Sequence, residues 1–213
     1  MNFKEQVLTT INGKAVRFAT PLGAAAVALV FLNLGPSRAL AQVGHSHAPT
    51  TQQQETMPSQ QNDAGALLKI VRDSTERFKD VSAAQAAGYA LQFGCVTGPD
   101  SGAMGLHYVN GDLLNSGVLD PTRPQIVIYE PAPDGGLRLI GADFLVFADS
   151  WNATHSGPPE LMGQLFHYFE TPNRYGLPAF YTLHVWAWKD NPNGAFVNWH
   201  PNVSCASFAG EKQ

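Results

Sequence analysis

The chain has 213 residues, of which 44% are hydrophobic and only 14% are charged, and its formal net charge is −4. This composition is that of a globular protein with a sizeable core, and its acidic balance argues against nucleic acid as a partner. Its two cysteines are far apart in the sequence and support a metal-thiolate site poorly.

Residues 1–41 have the pattern of a secretory signal peptide. A basic leader precedes an apolar run from Pro21 to Gly35, and the small residues Ala39 and Ala41 mark a cleavage signal. We therefore expect cleavage near Ala41–Gln42 and a periplasmic or secreted protein. The apolar run is shorter than the roughly 20 residues of a membrane helix. No membrane span is expected after cleavage, although a leader retained as an anchor stays an alternative.

The chain that follows the leader is more acidic, and its cysteines suit an oxidising compartment. It holds nine basic and sixteen acidic residues, a formal charge of −7, which disfavours nucleic acid and anionic membrane surfaces. Export favours a disulfide between Cys95 and Cys205. The chain-entropy gain for a loop of about 110 residues is roughly 4–5 kcal/mol.

Two helices are predicted to open the folded domain, after a disordered linker over residues 42–63 that is rich in Gln, Thr, Ser and Pro. An amphipathic helix of about four turns is expected to start near Asp63. Its apolar face comprises residues at helical spacing: Leu67, Val71, Ser74, Phe78 and Val81. We expect a kink at Asp80, then a short helix over 83–87 with a Ser82–Gln85 capping box and a stop at Gly88.

From Tyr89 onward the pattern indicates β-structure. Apolar and alternating segments are divided by Gly, Pro, Asn and Asp turns, which predicts strands. The candidate strands are 89–96, 104–110, 125–130, 137–147, 164–169 and 179–189. Helices followed by strands predict a single α+β domain over residues 64–213, in which the N-terminal amphipathic helix and a short helix precede a curled, mainly antiparallel sheet.

Three histidines lie inside strongly hydrophobic strand segments: His107, His167 and His184. A buried imidazole nitrogen needs a polar partner, and a metal ion can satisfy several rings at once. Strand alternation places Glu130 on the same face as Ile126 and Ile128.

A sheet that curls can therefore bring His107, His167, His184 and Glu130 toward one pocket. Three imidazoles and one carboxylate are ordinary ligands for zinc, copper, iron or manganese. In this hypothesis Glu130 is a fourth ligand or a general base.

Each of these residues also has an ordinary structural explanation. A single histidine on an apolar strand is usually a core residue bonded to a carbonyl, and none of the three has His-x-His spacing. Asp143 could join the pocket or mark a bulge near Gly141, and the bulge is favoured. His155 lies in a polar loop and is expected to be solvated, and His200 is expected to be structural.

Several longer motifs resemble one known group of proteins. They are GLHYVN at 105–110, LHVWAW at 183–188, NPNGAF at 191–196 and NVSC at 202–205. With these motifs, residues 80–213 resemble an uncharacterised family of exported bacterial proteins. The resemblance implies bacterial export and one shared domain, and it brings no activity with it.

The sequence therefore predicts an exported protein with a divalent-metal or small-ligand pocket built from strand histidines. A metal-dependent enzyme would use such a pocket, but no motif names a reaction. The alternative is a non-enzymatic periplasmic binding or structural module without a metal. A small molecule is the expected partner, and the pattern does not predict an oligomeric state.

Overall fold

The computed structural model describes residues 58–213, with side chains from residue 61 onward. The predicted signal peptide and residues 42–57 of the predicted linker lie outside this part. Four α-helices are described: α1 (Pro58–Thr75), α2 (Val81–Ala86), α3 (Gly111–Ser116) and α4 (Ala148–Asn152). A 3₁₀ turn, Glu76–Lys79, joins the first two. Residues 58–63, which were expected to be linker, are helical.

Eight strands are described, where six were predicted. They are β1 (Tyr89–Gly98), β2 (Gly102–Asn110), β3 (Ile126–Pro131), β4 (Leu137–Phe147), β5 (Glu160–Leu161), β6 (Gln164–Leu165), β7 (His167–Phe169) and β8 (Phe180–Val185). All eight follow α2, with α3 between β2 and β3 and α4 between β4 and β5. Six form one antiparallel sheet in the order β1-β2-β3-β4-β8-β7, while β5 and β6 pair separately. The large sheet is strongly curled into a half-barrel, which confirms the predicted fold class.

Helix α1 packs on one face of β4 and β8 because its apolar residues repeat at helical spacing. Leu67 and Val71 are fully buried in a cluster that includes Phe144 and Leu183. Arg72 Nε donates to the Ala187 carbonyl at 2.7 Å, which fixes the helix to the end of β8. This face of the two strands is thereby closed by the helix.

The opposite face of the same strands carries the polar residues of interest. Along β4, Ala142 and Phe144 belong to the cluster under α1, so Asp143 and Leu145 point the other way. Asp143 pairs with His184 across the β4–β8 ladder, and Leu145 pairs with Thr182. Strand alternation alone therefore directs these side chains into the inside of the half-barrel.

Two glycines allow the strands to approach each other closely around this interior. Gly105 has φ +90°, and a Cβ there would lie 2.6 Å from the Tyr129 carbonyl oxygen. A Cβ at Gly141 would lie 2.6 Å from the Val185 carbonyl oxygen. Next to Gly141, the β3–β4 register shifts so that Ile140 is skipped, which is the bulge expected near this position.

The C-terminal segment is fixed to β1 by the predicted disulfide. Cys95 and Cys205 are bonded, with their Cα atoms 5.8 Å apart, and the bridge closes a sequence separation of 110 residues. The Glu211 carbonyl then accepts from Cys95 N–H at 2.9 Å. Within residues 58–213, we find no helix with the length and apolar character needed to cross a membrane.

Local details differ from the sequence expectations in several ways. Helix α4 and strand β5 were not predicted, the predicted strand 164–169 is divided into β6 and β7, and the predicted strand 179–189 ends at Val185. The cap of α2 is Asp80, whose carboxylate accepts from Ser82 N–H at 2.9 Å, so the expected Ser82–Gln85 capping box does not form. Helix α3 was not predicted, although Asn110 caps it by accepting from Leu113 N–H and Gly117 ends it with φ +65°. Both signals for α3 were present in the sequence.

Candidate metal centre

The fold brings two of the three strand histidines into contact. His107 is on β2 and His184 is on β8, and their side chains are 7% and 3% exposed. The two Nε2 atoms lie 3.4 Å apart, and the rings meet edge to face with centroids 5.7 Å apart. The predicted convergence of these two residues is therefore present.

Sheet curvature is what makes this contact. β3 and β4 lie between β2 and β8 in the sheet, so a flat sheet would separate the two strands by roughly 14 Å at about 4.8 Å per step. The rings nevertheless touch because the half-barrel folds both strands toward a common interior.

The hydrogen bond made by His107 fixes the state of its ring. Nδ1 lies 3.2 Å from the Gly105 carbonyl oxygen. Because a carbonyl oxygen can only accept, Nδ1 carries the proton and donates, which leaves a lone pair on Nε2. That lone pair points toward His184.

The ring of His184 is less well satisfied. Its Nδ1 lies 3.7 Å from Asp143 Oδ1, and this nitrogen has no hydrogen-bond partner among the described residues. The amide oxygen of Asn198 is also buried without a hydrogen bond in this part of the chain. The Asn198 side chain lies close enough to weakly oppose the lowering of the His184 pKa.

Asp143 supplies the carboxylate of the site. Its side chain is buried, and Oδ1 accepts a hydrogen bond of 2.5 Å from the Thr182 hydroxyl. One potential ligand atom from each of His107, Asp143 and His184 lies within 4.8 Å of the other two. We call these three residues the histidine–aspartate cluster.

Burial dominates the protonation of the cluster. It lowers the pKa of His107 to about 4, helped by His184 and opposed by Asp143 and the Gly105 carbonyl. It likewise lowers the pKa of His184 to about 3, with His167 adding to the effect.

For the carboxyl group, burial raises the pKa of Asp143 to about 6, against the Thr182 hydrogen bond and the charge of His107. At neutral pH the cluster therefore holds two neutral imidazoles and a mostly ionised carboxylate, which is the state that binds metals.

A small cavity of about 40 Å³ adjoins the cluster. His107, Asp143 and His184 all line it, together with Thr182 and mainly hydrophobic residues from β1, β2, β3, β4, β7, β8 and the segment before β8. About 10–15 Å³ of such volume holds one water. The cavity therefore accommodates a few non-hydrogen atoms beside the cluster.

Two of the predicted site residues lie elsewhere. His167 pairs with Thr182 in the β7–β8 ladder, but its side chain is exposed and Nε2 lies 3.2 Å from the Phe196 carbonyl oxygen. Glu130 lies near the end of β3, where both carboxylate oxygens accept from Lys189 Nζ, at 2.9 and 2.7 Å. Ser204 N–H also donates to Glu130, at 3.1 Å.

Glu130 is thus occupied by an ion pair and belongs to a different surface groove, lined also by Arg138 and Ser207. Strand alternation predicted which face of the sheet Glu130 occupies, but it did not take Lys189 into account. Lys189 follows β8 and binds the carboxylate. His167 lies on an edge strand of three residues, too short for its neighbours to cover it. The structure therefore keeps both residues out of the histidine–aspartate cluster.

Asp143 is the residue that sequence reasoning undervalued. The sequence signal was a carboxylate inside an apolar strand, which was assigned to a bulge near Gly141. The bulge and the buried cluster are both present, because the bulge lies at Ile140 and Asp143 remains in register opposite His184. His155 is exposed and stacks on Trp151, as its polar loop suggested.

Comparison with family models, with curated proteins and with solved structures finds no match for this chain. The site has therefore to be interpreted from its own geometry.

Proposed function

We propose that this is an exported metal-binding protein whose ion is held by His107, His184 and Asp143. The main support is the 3.4 Å separation of the two Nε2 atoms. Two nitrogens about 2.1 Å from one tetrahedral ion are about 3.4 Å apart. The rings are already at the distance that coordination requires.

The orientation of the rings supports the same proposal. His107 turns Nδ1 to the Gly105 carbonyl and leaves Nε2 facing Nε2 of His184. Metal-bound histidines usually direct the non-ligating nitrogen to a carbonyl or carboxylate in this way.

Two imidazoles and one carboxylate form a ligand set found in catalytic zinc and non-haem iron(II) centres. Zinc or iron(II) is therefore the proposed ion. Such an ion keeps at least one open coordination position, and it would supply Lewis acidity or a bound water of lowered pKa.

Export is supported by the disulfide and by the leader pattern. The Cys95–Cys205 bridge is of the kind that persists in oxidising compartments. Residues 1–41 carry the basic, apolar and small-residue pattern of a signal peptide. We propose a periplasmic or secreted location on these two grounds.

The alternative function is a binding or structural module without a metal. In that case His184 Nε2–H donates to the His107 lone pair across 3.4 Å, which is long for a hydrogen bond. Both ring nitrogens of His107 then have a hydrogen-bond partner, whereas Nδ1 of His184 has none within the described residues.

Metal titration of the full chain distinguishes the two functions. Protein purified without a metal-affinity column is analysed for metals, stripped with a chelator and titrated calorimetrically with zinc. We expect one ion per chain, and a loss of affinity beyond about 100-fold in His107→Ala and His184→Ala, more than second-shell changes produce.

His155→Ala is the matched control, because His155 is an exposed histidine outside the cluster. It should bind zinc like the wild-type chain. Wild-type protein that binds no ion, or His184→Ala protein that binds as tightly as wild type, would favour the metal-free module.

A further inference from the structure

The wall of the cavity beside the histidine–aspartate cluster restricts what can reach the ion. His107, Asp143 and His184 line it, so a coordination position left open by the protein faces this space. Most of the remaining wall is aliphatic or aromatic, and Val96, Ile126 and Leu145 are examples. In the described chain, no lysine or arginine lines it.

The volume of the cavity limits the size of a ligand. At about 40 Å³, it has room for about three water-sized atoms, since each needs about 10–15 Å³. An aromatic acid or an amino acid is too large to lie wholly inside this space. A ligand that coordinates the ion here has about three non-hydrogen atoms.

The charge of the site limits the chemistry of that ligand. A divalent ion with two neutral imidazoles and the Asp143 carboxylate carries a net charge of +1. An uncompensated charge in an apolar interior is costly, whereas an anion bound directly to the ion neutralises it. The wall supplies no second carboxylate within the described residues, so the compensating charge has to come from the ligand.

The mouth of the cavity is aromatic. Of the lining residues, only Phe93 and Phe169 are half-buried, and the others are buried. Tyr175 contacts both, with ring centroids 5.7 Å from Phe93 and 6.4 Å from Phe169. Phe93 has φ +64° and lies where the β1–β2 register shifts between Gln92 and Cys95, so a bulge positions it at this opening.

We propose that this cavity is the ligand-binding position of the metal centre and that it takes a small monoanion of about three non-hydrogen atoms. Azide and formate belong to this class. The inference rests on the proposed metal centre and adds the class of ligand that the centre accepts.

The test uses the full chain loaded with cobalt(II), whose visible spectrum responds to a change of ligand. Azide and formate should each give a saturable spectral change, whereas benzoate and sulfate should give none because they are too large. Failure of cobalt to bind contradicts the proposed function itself. Cobalt that binds with a spectrum insensitive to azide, or equally sensitive to benzoate, overturns this inference and leaves the metal centre intact.

A pair of variants on one strand tests the cavity directly. Leu145→Phe fills the space beside the cluster and should weaken azide binding at least tenfold while cobalt is retained. Leu139→Phe is the matched control, since Leu139 is a buried residue of β4 outside the cavity wall. Equal azide affinity in the two variants contradicts the proposal. If Leu145→Phe does not fold, the comparison of azide with benzoate in the wild-type chain decides.

Discussion

Two polar groups of this protein, the partly buried Glu130–Lys189 pair and the buried histidine–aspartate cluster, are satisfied in opposite ways. Glu130 and Lys189 form an ion pair in which the carboxylate also accepts from the Ser204 amide. The histidine–aspartate cluster contains a nitrogen with no partner within the described residues and two Nε2 atoms facing each other.

The difference bears on which of the two groups could hold a ligand. A carboxylate whose oxygens are all taken by protein donors has little capacity left for a ligand. A cluster of buried ligand atoms that the protein does not fully satisfy retains that capacity. Strand alternation predicted that Glu130 faces the pocket, but its carboxylate is already occupied by protein donors.

Loss of the disulfide should have the largest effect on stability and should affect only one of the two groups. For Cys95→Ser/Cys205→Ser we expect the free energy of unfolding to fall by up to about 4–5 kcal/mol, the chain-entropy value for so long a loop. The Glu130–Lys189 pair depends on Ser204, next to Cys205, whereas the cluster is held by β2, β4 and β8.

Urea unfolding measures the first effect, and zinc calorimetry under conditions where the variant is folded measures the second. Zinc affinity should remain at the wild-type level. If zinc affinity falls together with stability, then the cluster, like the ion pair, depends on the C-terminal segment.

The metal-free protein should lose stability as the pH falls from about 6 to 4. His107 and His184 have pKa values of about 4 and 3 in the fold, below the ordinary value of about 6.5. Their stabilising contribution is thus present above pH 6.5 and lost on acidification. Asp143, with its pKa raised to about 6, opposes this by taking up one proton in the folded state.

Asp143→Asn removes the carboxyl group that takes up this opposing proton in the folded state. The variant should therefore lose stability more steeply between pH 6 and 4, by about 1.4 kcal/mol per pH unit beyond the wild type. Urea unfolding across this range, with chelator present, measures the slope. Glu130→Gln serves as the control carboxylate substitution, and an equal steepening there would remove the distinction between the two groups.

Breaking the ion pair should have a smaller effect and none on the metal. Lys189→Met leaves Glu130 without its main partner, and we expect a loss of about 2 kcal/mol, below the 3–5 kcal/mol of a fully buried pair. The reason is partial exposure, 24% for the Lys189 side chain and 12% for Glu130.

The double variant Glu130→Gln/Lys189→Met should recover most of this loss, because no orphaned charge remains. Thermal unfolding of the three proteins measures it. Recovery that fails to appear would mean that the lysine contributes through packing rather than through charge.

The smallest effect is expected at His167, the predicted ligand that lies outside the cluster. His167→Ala removes an exposed ring and one contact to the Phe196 carbonyl, so stability should change by no more than about 0.5 kcal/mol. Zinc affinity should stay at the wild-type value in calorimetry. A loss comparable to that of His184→Ala would return His167 to the ligand set.

Sequence patterns predicted those features of the fold that depend on neighbouring residues. The bounds of β4 agree with the predicted 137–147, and the apolar face of α1 contains Leu67 and Val71 as expected. Helix α3 could also have been predicted from Asn110 and Gly117. Such features follow from periodicity and capping, which are local in the chain.

The composition of the site depended on properties that are not local. Alternation gave the correct face for His107 and His184, but only sheet order and curvature decide which strands meet. Asp143 belongs to the cluster because it pairs with His184, and Glu130 lies outside it because it pairs with Lys189. Both partners are distant in sequence. No pattern within a strand contains this information.

The curvature of the sheet also determines when the site can exist. His107 and His184 are 77 residues apart in the chain, and β3 and β4 lie between their strands in the sheet. A chain that is still extended therefore has no chelating pair. Any ion must be acquired after the sheet has closed, from the compartment in which the protein folds.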